Sequence, residues 1–200
     1  MGQTNLEVEI KLEVKDPAEL RARIGSLGWR QAGERTREVN VLFDRANGSL
    51  RAAGIVLRLR EYGERRVLTF KGPGMAGKHK VREEIETAVG DLGAMEAILD
   101  RLGYQPGFRY EKFRTEFTDG AGHLTLDETP IGDYLELEGP PDWIDEWAVR
   151  LGYAERDYIT LSYGRLHAAY CERVGAPVGD MVFGGRGLKG WAGPDIGENT

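Results

Sequence analysis

The sequence predicts an α+β fold: a meandering antiparallel sheet or barrel with a few helices packed outside it. Three observations carry this expectation. Eight strand-like runs outnumber three helix-like ones, hairpin signals separate several neighbouring runs, and strands and helices do not alternate one for one. The last point argues against a doubly wound parallel sheet. A chain of 200 residues suits one domain with room for a core.

The first run, Glu7–Val14, alternates charge and apolar bulk: Glu7, Glu9 and Lys11 on one side, Val8, Ile10 and Leu12 on the other. Asp16-Pro17-Ala18-Glu19 then opens a helix, with Asp16 as cap, Pro17 in the first turn and Glu19 completing a capping box. Leu20, Ile24 and Leu27 give that helix an apolar stripe, and Gly28 stops it. Strands are expected over Arg37–Phe43, Ile55–Glu61, Arg66–Lys71 and Lys80–Val89, punctuated by Asn47-Gly48, Tyr62-Gly63 and the glycine-rich Gly72–Gly77. A second helix starts at Asp91 and stops at Gly103. Strands follow over Tyr110–Phe117, Leu124–Glu128 and Asp133–Glu138, and a third helix runs from about Asp142 to Leu151 before Gly152. All three helices end in Leu-Gly-aromatic, a Schellman-type stop.

Composition narrows the function classes. A net charge of −6 and a pI near 5.3 disfavour a general nucleic-acid binder. The single Cys171 excludes an internal disulfide and a cysteine zinc cluster. No apolar run approaches the roughly 20 residues that span a membrane. Met1–Asn5 has neither the basic start nor the apolar core of a signal peptide, so a cytoplasmic protein, monomer or homodimer, is expected.

Function enters through the alternate residues. Arg58 and Arg60 share a face, as do Thr69 and Lys71, then Lys80, Arg82, Glu84 and Glu86, then Lys112 and Arg114, then Thr125 and Asp127, then Glu136 and Glu138. A merely solvated sheet face would mix in serine, threonine, glutamine and asparagine, whereas this one is nearly all charge. Arginine's forked guanidinium matches phosphate oxygens. Paired carboxylates without histidine or cysteine beside them suit hard cations such as Mg²⁺ or Mn²⁺. Both sets on one curved sheet describe a pocket for a metal-bound polyphosphate.

These motifs in this order resemble the CYTH superfamily, the triphosphate tunnel metalloenzymes, which include class IV adenylyl cyclases, thiamine triphosphatases and inorganic triphosphatases. The residues that carry the resemblance are Glu7-x-Glu9-x-Lys11, Leu57-Arg58-Leu59-Arg60, Leu68-Thr69-Phe70-Lys71-Gly72-Pro73, Arg82-Glu83-Glu84, Lys112-Phe113-Arg114, Leu126-Asp127 and Leu135-Glu136-Leu137-Glu138. It spans about Leu6 to Tyr170. It implies an eight-stranded antiparallel barrel around a charged tunnel, a triphosphate substrate (inorganic triphosphate, ATP or thiamine triphosphate) and a divalent metal. By position it implies that Glu7, Glu9, Glu136 and Glu138 hold metal, helped by Asp127. Arg58, Arg60, Lys71, Arg82 and Arg114 would grip phosphate, with Lys80 and Lys112 sharing their faces. Lys11 would lie against the phosphate chain or position the nucleophile, and Glu84 would orient a neighbouring base or contact a second metal. Leu42 stands ahead of Phe43-Asp44 where thiamine-triphosphatase-like members tend to have tyrosine, while the Thr69–Pro73 and Arg82–Glu86 stretches look like the cyclase branch. Triphosphate hydrolysis is the leading expectation, adenylyl cyclisation the alternative, and a non-catalytic polyphosphate or nucleotide binder a further one.

Other signals carry less. Gly72–Gly77 formally reads G-x-G-x-x-G but contains Pro73 and opens no helix, so a hairpin loop at the tunnel mouth is expected instead of a dinucleotide-binding turn. His79, His123 and His167 lack ligand spacing, Ser162 lies in no nucleophile elbow, and Trp29, Trp143 and Trp147 are expected to pack helices on the barrel. The tunnel domain is expected over 1–172, with a glycine-rich extension over 173–200 that is mostly disordered or loosely docked.

Overall fold

The computed structural model describes residues 6–184. Along the chain run β1 (Leu6–Val14), α1 (Pro17–Ser26), β2 (Arg30–Arg45), α2 (Ser49–Ala52), β3 (Val56–Tyr62), β4 (Arg65–Lys71), β5 (Lys80–Ala88), α3 (Leu92–Arg101), β6 (Tyr104–Thr118), β7 (His123–Thr129), β8 (Gly132–Glu138), α4 (Pro141–Arg150) and α5 (Tyr163–Val174). The eight strands close into one antiparallel barrel in the order β1-β5-β4-β3-β2-β6-β7-β8. Closure leaves no free sheet edge and aims every second side chain of each strand into one lumen.

Local chemistry sets the helix limits. Asp16 accepts the Ala18 and Glu19 amides at 3.0 and 2.9 Å, and Asp91 accepts that of Ala94 at 2.9 Å. Gly28, Gly103 and Gly152 follow the helix ends with φ of 82°, 84° and 91°, a conformation that costs a side-chain-bearing residue.

The apolar core lies outside the barrel. Ile10, Leu12, Leu124, Leu126, Leu135 and Leu137 are fully buried and pack with Leu20 and Ile24 of α1 and Ile144 and Trp147 of α4. Each such side chain contributes about 1.5–3 kcal/mol on burial. A second cluster sets α3, through Leu99, Leu92 and Met95, against Phe43, Leu57, Leu59 and Leu68. The tryptophans behave as expected: Trp29 meets Trp147 and Trp143 edge-on at 4.7 and 5.7 Å, and the indoles of Trp143 and Trp147 both donate to Asp119, at 2.8 and 3.0 Å. Gly122 is small for a reason, since a Cβ there would come within 2.6 Å of the Trp143 ring.

The structure departs from the sequence reading in several places, among them the short helix α2 where Asn47-Gly48 reads as a hairpin turn. β2 and β6 are far longer than expected, at 16 and 15 residues, and pair along their whole length with bulges near Gly33. α5 was not expected; Ser162 is its N-cap. It stands across one end of the barrel, where Tyr163 clusters with Tyr110, Tyr134 and Met181. The 72–79 loop does not stand at the open mouth: Pro73 lies beside Gly54, at the end where β2 meets β3, and Lys78 and His79 bind Asp145 of α4. Past Val174, Met181 is almost fully buried and its backbone bonds to Arg109 and Glu111 of β6. Residues 1–5 and 185–200, including most of the glycine-rich extension and Trp191, lie outside the described residues. No helix among the described residues is long and apolar enough to cross a membrane.

Candidate active site

Strand register brings the charged residues face to face. Glu7 lies opposite Arg82 and Glu9 opposite Lys80 across β1 and β5. Glu9 also faces Glu138, and Lys11 faces Glu136, across β1 and β8. Lys71 faces Glu84, Thr69 faces both Arg58 and Glu86, and Arg114 faces Asp127.

The result is one continuous ion-pair network around the lumen. Arg60 and Arg58 reach Glu86 at 3.1 and 3.4 Å, and Arg58 reaches Glu84 at 3.8 Å. Lys71 bridges Glu84 and Glu7 at 3.0 and 2.7 Å. Arg82 joins Glu7 to Glu9 at 3.1 and 3.6 Å, and Lys80 holds Glu9 at 2.6 Å. Lys11 links Glu9 and Glu136 at 3.3 and 3.1 Å. Arg114 then joins Glu136 to Asp127, and Lys112 binds Asp127 at 2.8 Å. Every residue expected at the site lies in this network except Glu138, which is exposed at the rim and has no cation within ion-pair distance among the described residues. The lumen is open on the side of Glu86 and Glu138 and dry around Asp127, Lys11 and Lys112.

Sequence reasoning missed several members. Glu38 and Asn40 of β2 are fully buried in the same lumen, Glu38 lying 3.6 Å from Lys112 and 3.8 Å from Arg114. Their alternation in Glu38-x-Asn40 was the available signal. Tyr163 enters from α5: its hydroxyl donates to Asp127 at 2.7 Å, and the ammonium groups of Lys11 and Lys112 lie 5.2 and 4.8 Å from its ring centre.

The electrostatics split the carboxylates into two kinds. Burial works against the charge on Glu9 and Glu136, but Lys11 with Lys80, and Lys11 with Arg114, outweigh it and hold both well below the usual range. Glu38 behaves likewise: burial is offset by Lys112, Arg114, Arg60 and Arg58, and its carboxyl is held at about 2. Glu84 and Glu138 are the opposite kind. Burial and the neighbouring Glu7 push Glu84 up to about 7 despite Lys71. Loss of hydration on the lumen side, then Glu7 and Glu9, push Glu138 to about 7. Lys80 is lowered to about 8, burial together with Lys11 and Arg82 outweighing Glu9.

These features fit both a hard cation and an anion. Glu7, Glu9, Glu84 and Glu138 crowd negative charge that a divalent ion would relieve, and their oxygens are the donors such an ion prefers. They do not form a ready-made cage, since no group of three or more acidic, histidine or cysteine side chains among the described residues has metal-site geometry. The reason is visible in the pairing: Glu7 is held by Lys71 and Arg82, Glu9 by Lys80, and Asp127 by Lys112, Arg114 and Tyr163. For the anion, the buried Nε–H groups of Arg58 and Arg60 have no acceptor among the described residues, so both guanidinium groups keep an unspent donor there.

Comparisons with known proteins agree with this geometry. A Methanocaldococcus jannaschii protein named as a candidate adenylate cyclase is 28% identical over 134 residues, covering 66% of this chain and 76% of its own. Among solved structures, a candidate adenylate cyclase of Vibrio parahaemolyticus superposes with a TM-score of 0.75 at 22% identity, covering 83% of this chain and 99% of that one. HpAC1 from Hippeastrum, a candidate adenylyl cyclase described as revealing a dominant triphosphatase activity, superposes with a TM-score of 0.55 at 20% identity over 86% of this chain and 97% of its own. The family model for the CYTH domain matches residues 5–163, and with the closed barrel and its charged lumen this establishes that the chain belongs to the CYTH family.

Proposed function

We propose that this protein is a divalent-metal-dependent triphosphatase that draws its substrate into the barrel from the Glu86–Glu138 rim. One observation carries the reading. Eight cations (Lys11, Arg58, Arg60, Lys71, Lys80, Arg82, Lys112, Arg114) line one lumen with eight carboxylates (Glu7, Glu9, Glu38, Glu84, Glu86, Asp127, Glu136, Glu138). A structural barrel needs no such interior: burying ions costs more than packing apolar side chains of equal volume. A triphosphate carries several charges and enters a low-dielectric cavity only against counter-charge.

The roles follow from position. Arg58, Arg60, Lys71, Lys80, Arg82, Lys112 and Arg114 hold phosphate oxygens, and Lys11, between Glu9 and Glu136, lies against the chain. Glu7, Glu9, Glu136 and Glu138 would hold Mg²⁺ or Mn²⁺, which when bound neutralises charge developing on the transferred phosphoryl group. Glu84 orients Lys71 and Arg58. Asp127 already accepts four short hydrogen bonds from three residues, so it anchors Lys112 and Arg114 and is a poorer metal ligand than the other carboxylates. Adenylyl cyclisation uses the same grip with a ribose hydroxyl as nucleophile. It is the second reading, favoured by the name of the archaeal relative. The triphosphatase activity described for the Hippeastrum protein, which shares the fold, supports the first.

Product analysis separates the two. Incubation with inorganic triphosphate, ATP and thiamine triphosphate, each with Mg²⁺ or Mn²⁺, is expected to release orthophosphate. Cyclic AMP with pyrophosphate from ATP would replace this reading by the second. Binding without turnover of any of the three would make the protein a non-catalytic binder.

A further inference from the structure

The wall of the barrel has a seam beside β1. β5 pairs with β1 only from Leu6 to Glu9, ending at the Glu9–Lys80 pair. The next position along that edge, Lys11, is taken by Ile159, which exchanges two backbone hydrogen bonds of 2.9 Å with it. Two separate segments thus complete the edge of the strand that carries Glu7, Glu9 and Lys11. One is the start of β5, Lys80–Glu83, which the 72–79 loop leads into, and the other is the stretch between α4 and α5.

A single carboxylate outside the lumen grips both. Asp145 of α4 accepts from Lys78 Nζ at 2.7 Å and from Tyr158 Oη at 3.0 Å, and lies 2.8 Å from His79 Nε2. His79 immediately precedes Lys80, and Tyr158 immediately precedes Ile159. The His79 and Tyr158 rings face each other 6.0 Å apart at 30°, and Lys78 also lies 3.9 Å from Glu155. The loop has little else to hold it: within it, Met75 bonds to Val81, Gly72 bonds to Glu83, and the chain around Met75–Lys78 is exposed. Three donors on one carboxylate depress its pKa against the effect of burial, and Tyr158 is pushed up to about 12 by burial and by Asp145.

We propose that Asp145 is a positioning residue for the triphosphate site, a latch that sets Lys80 against Glu9 and Ile159 against Lys11 without touching substrate. The proposal rests on the triphosphate reading of the lumen. Lys80 reaches Glu9 at 2.6 Å from the first residue of its strand, so release of His79 frees the backbone that aims it. The freed loop is a segment of low local stability beside a rigid wall. Latch loss therefore loosens Lys80 first, and Lys11 less because Ile159 keeps its two backbone bonds to it, while the other six cations stay in place, which weakens substrate capture more than the chemical step.

The test uses Asp145→Asn with two milder variants, His79→Gln and Tyr158→Phe, in the full chain. Two readouts are needed: steady-state kinetics with inorganic triphosphate and Mg²⁺, and the rate of trypsin cleavage after Lys78. Asp145→Asn is expected to raise KM about three- to tenfold with kcat within twofold, and to speed cleavage after Lys78 at least about fivefold. Tyr158→Phe and His79→Gln should shift KM in the same direction by less. Faster cleavage with unchanged KM would overturn the positioning role. Equal loss of kcat and KM effects across all three, with unchanged cleavage, would also overturn it. Absence of both binding and turnover in the unaltered protein would overturn the triphosphate reading itself, an outcome distinct from failure of the latch.

Discussion

Away from the rim, the two faces of the β1–β8–β7 wall are both buried and chemically opposite. Outward, Ile10, Leu12, Leu124, Leu126, Leu135 and Leu137 meet α1 and α4 without solvent. Inward, on the residues between them, lie Glu9, Lys11, Thr125, Asp127 and Glu136, none more than 9% exposed. The barrel is thus inside out relative to a globular core: its apolar core is the outer layer, and its interior is ionised. The two-residue period of a strand is enough to separate the apolar face from the ionised one, and the proposed function places stability on the first and chemistry on the second. Moving one position along any of these strands exchanges the face and hence the expected consequence of a substitution.

Perturbations should separate the faces in order of effect. Removing divalent metal with a chelator is expected to abolish turnover and leave cooperative unfolding intact, and added Mg²⁺ or Mn²⁺ should restore the rate; turnover that survives chelation would break the inner-face assignment. Glu9→Gln should lower kcat about a hundredfold or more, measured by orthophosphate release. Because it strips a buried partner from Lys80 and Lys11, it should also lower the melting temperature. On the outer face, Leu135→Ala should cost about 2–5 kcal/mol in denaturant titration, with KM for triphosphate unchanged in the folded protein. A KM shift there would blur the distinction.

Smaller effects test the interior itself. The depressed carboxyl of Glu38 contributes stability that is full above the ordinary carboxylate value of 4.5 and is lost as pH falls towards 2. Thermal unfolding between pH 6 and 2.5 should therefore show a steeper acid loss in the unaltered protein than in Glu38→Gln. Tyr163→Phe should cost about 1.5–3 kcal/mol, the range for a hydrogen bond to a charged group, here the Asp127 carboxylate, read as a shift in unfolding midpoint.

The inner face was legible because charge recurs every second residue on strand after strand. Arg58 with Arg60, Lys112 with Arg114 and Glu136 with Glu138 announce their own orientation, and register then brings them together. Glu38 was overlooked because its neighbour on the face is the neutral Asn40, so β2 offered no charged pair. Long-range closure also hid the true lengths of β2 and β6, since one end of the pairing lies beyond register shifts at Gly33 and the other beyond a shift between Leu42 and Phe43. α5 escaped because its buried side is Tyr163, His167 and Cys171, residues that do not read as an apolar stripe. The placement of the 72–79 loop depended on Asp145, more than 60 residues away, and no local feature of the loop points there.

The most direct measurement is calorimetric titration of inorganic triphosphate and of orthophosphate, with Mg²⁺, into the unaltered protein and into Arg58→Ala. A lumen that grips several phosphates at once predicts that the substitution weakens triphosphate binding more than about tenfold, or about 1.4 kcal/mol, and orthophosphate binding far less. Equal losses for the two ligands, or no triphosphate binding by the unaltered protein, would contradict it.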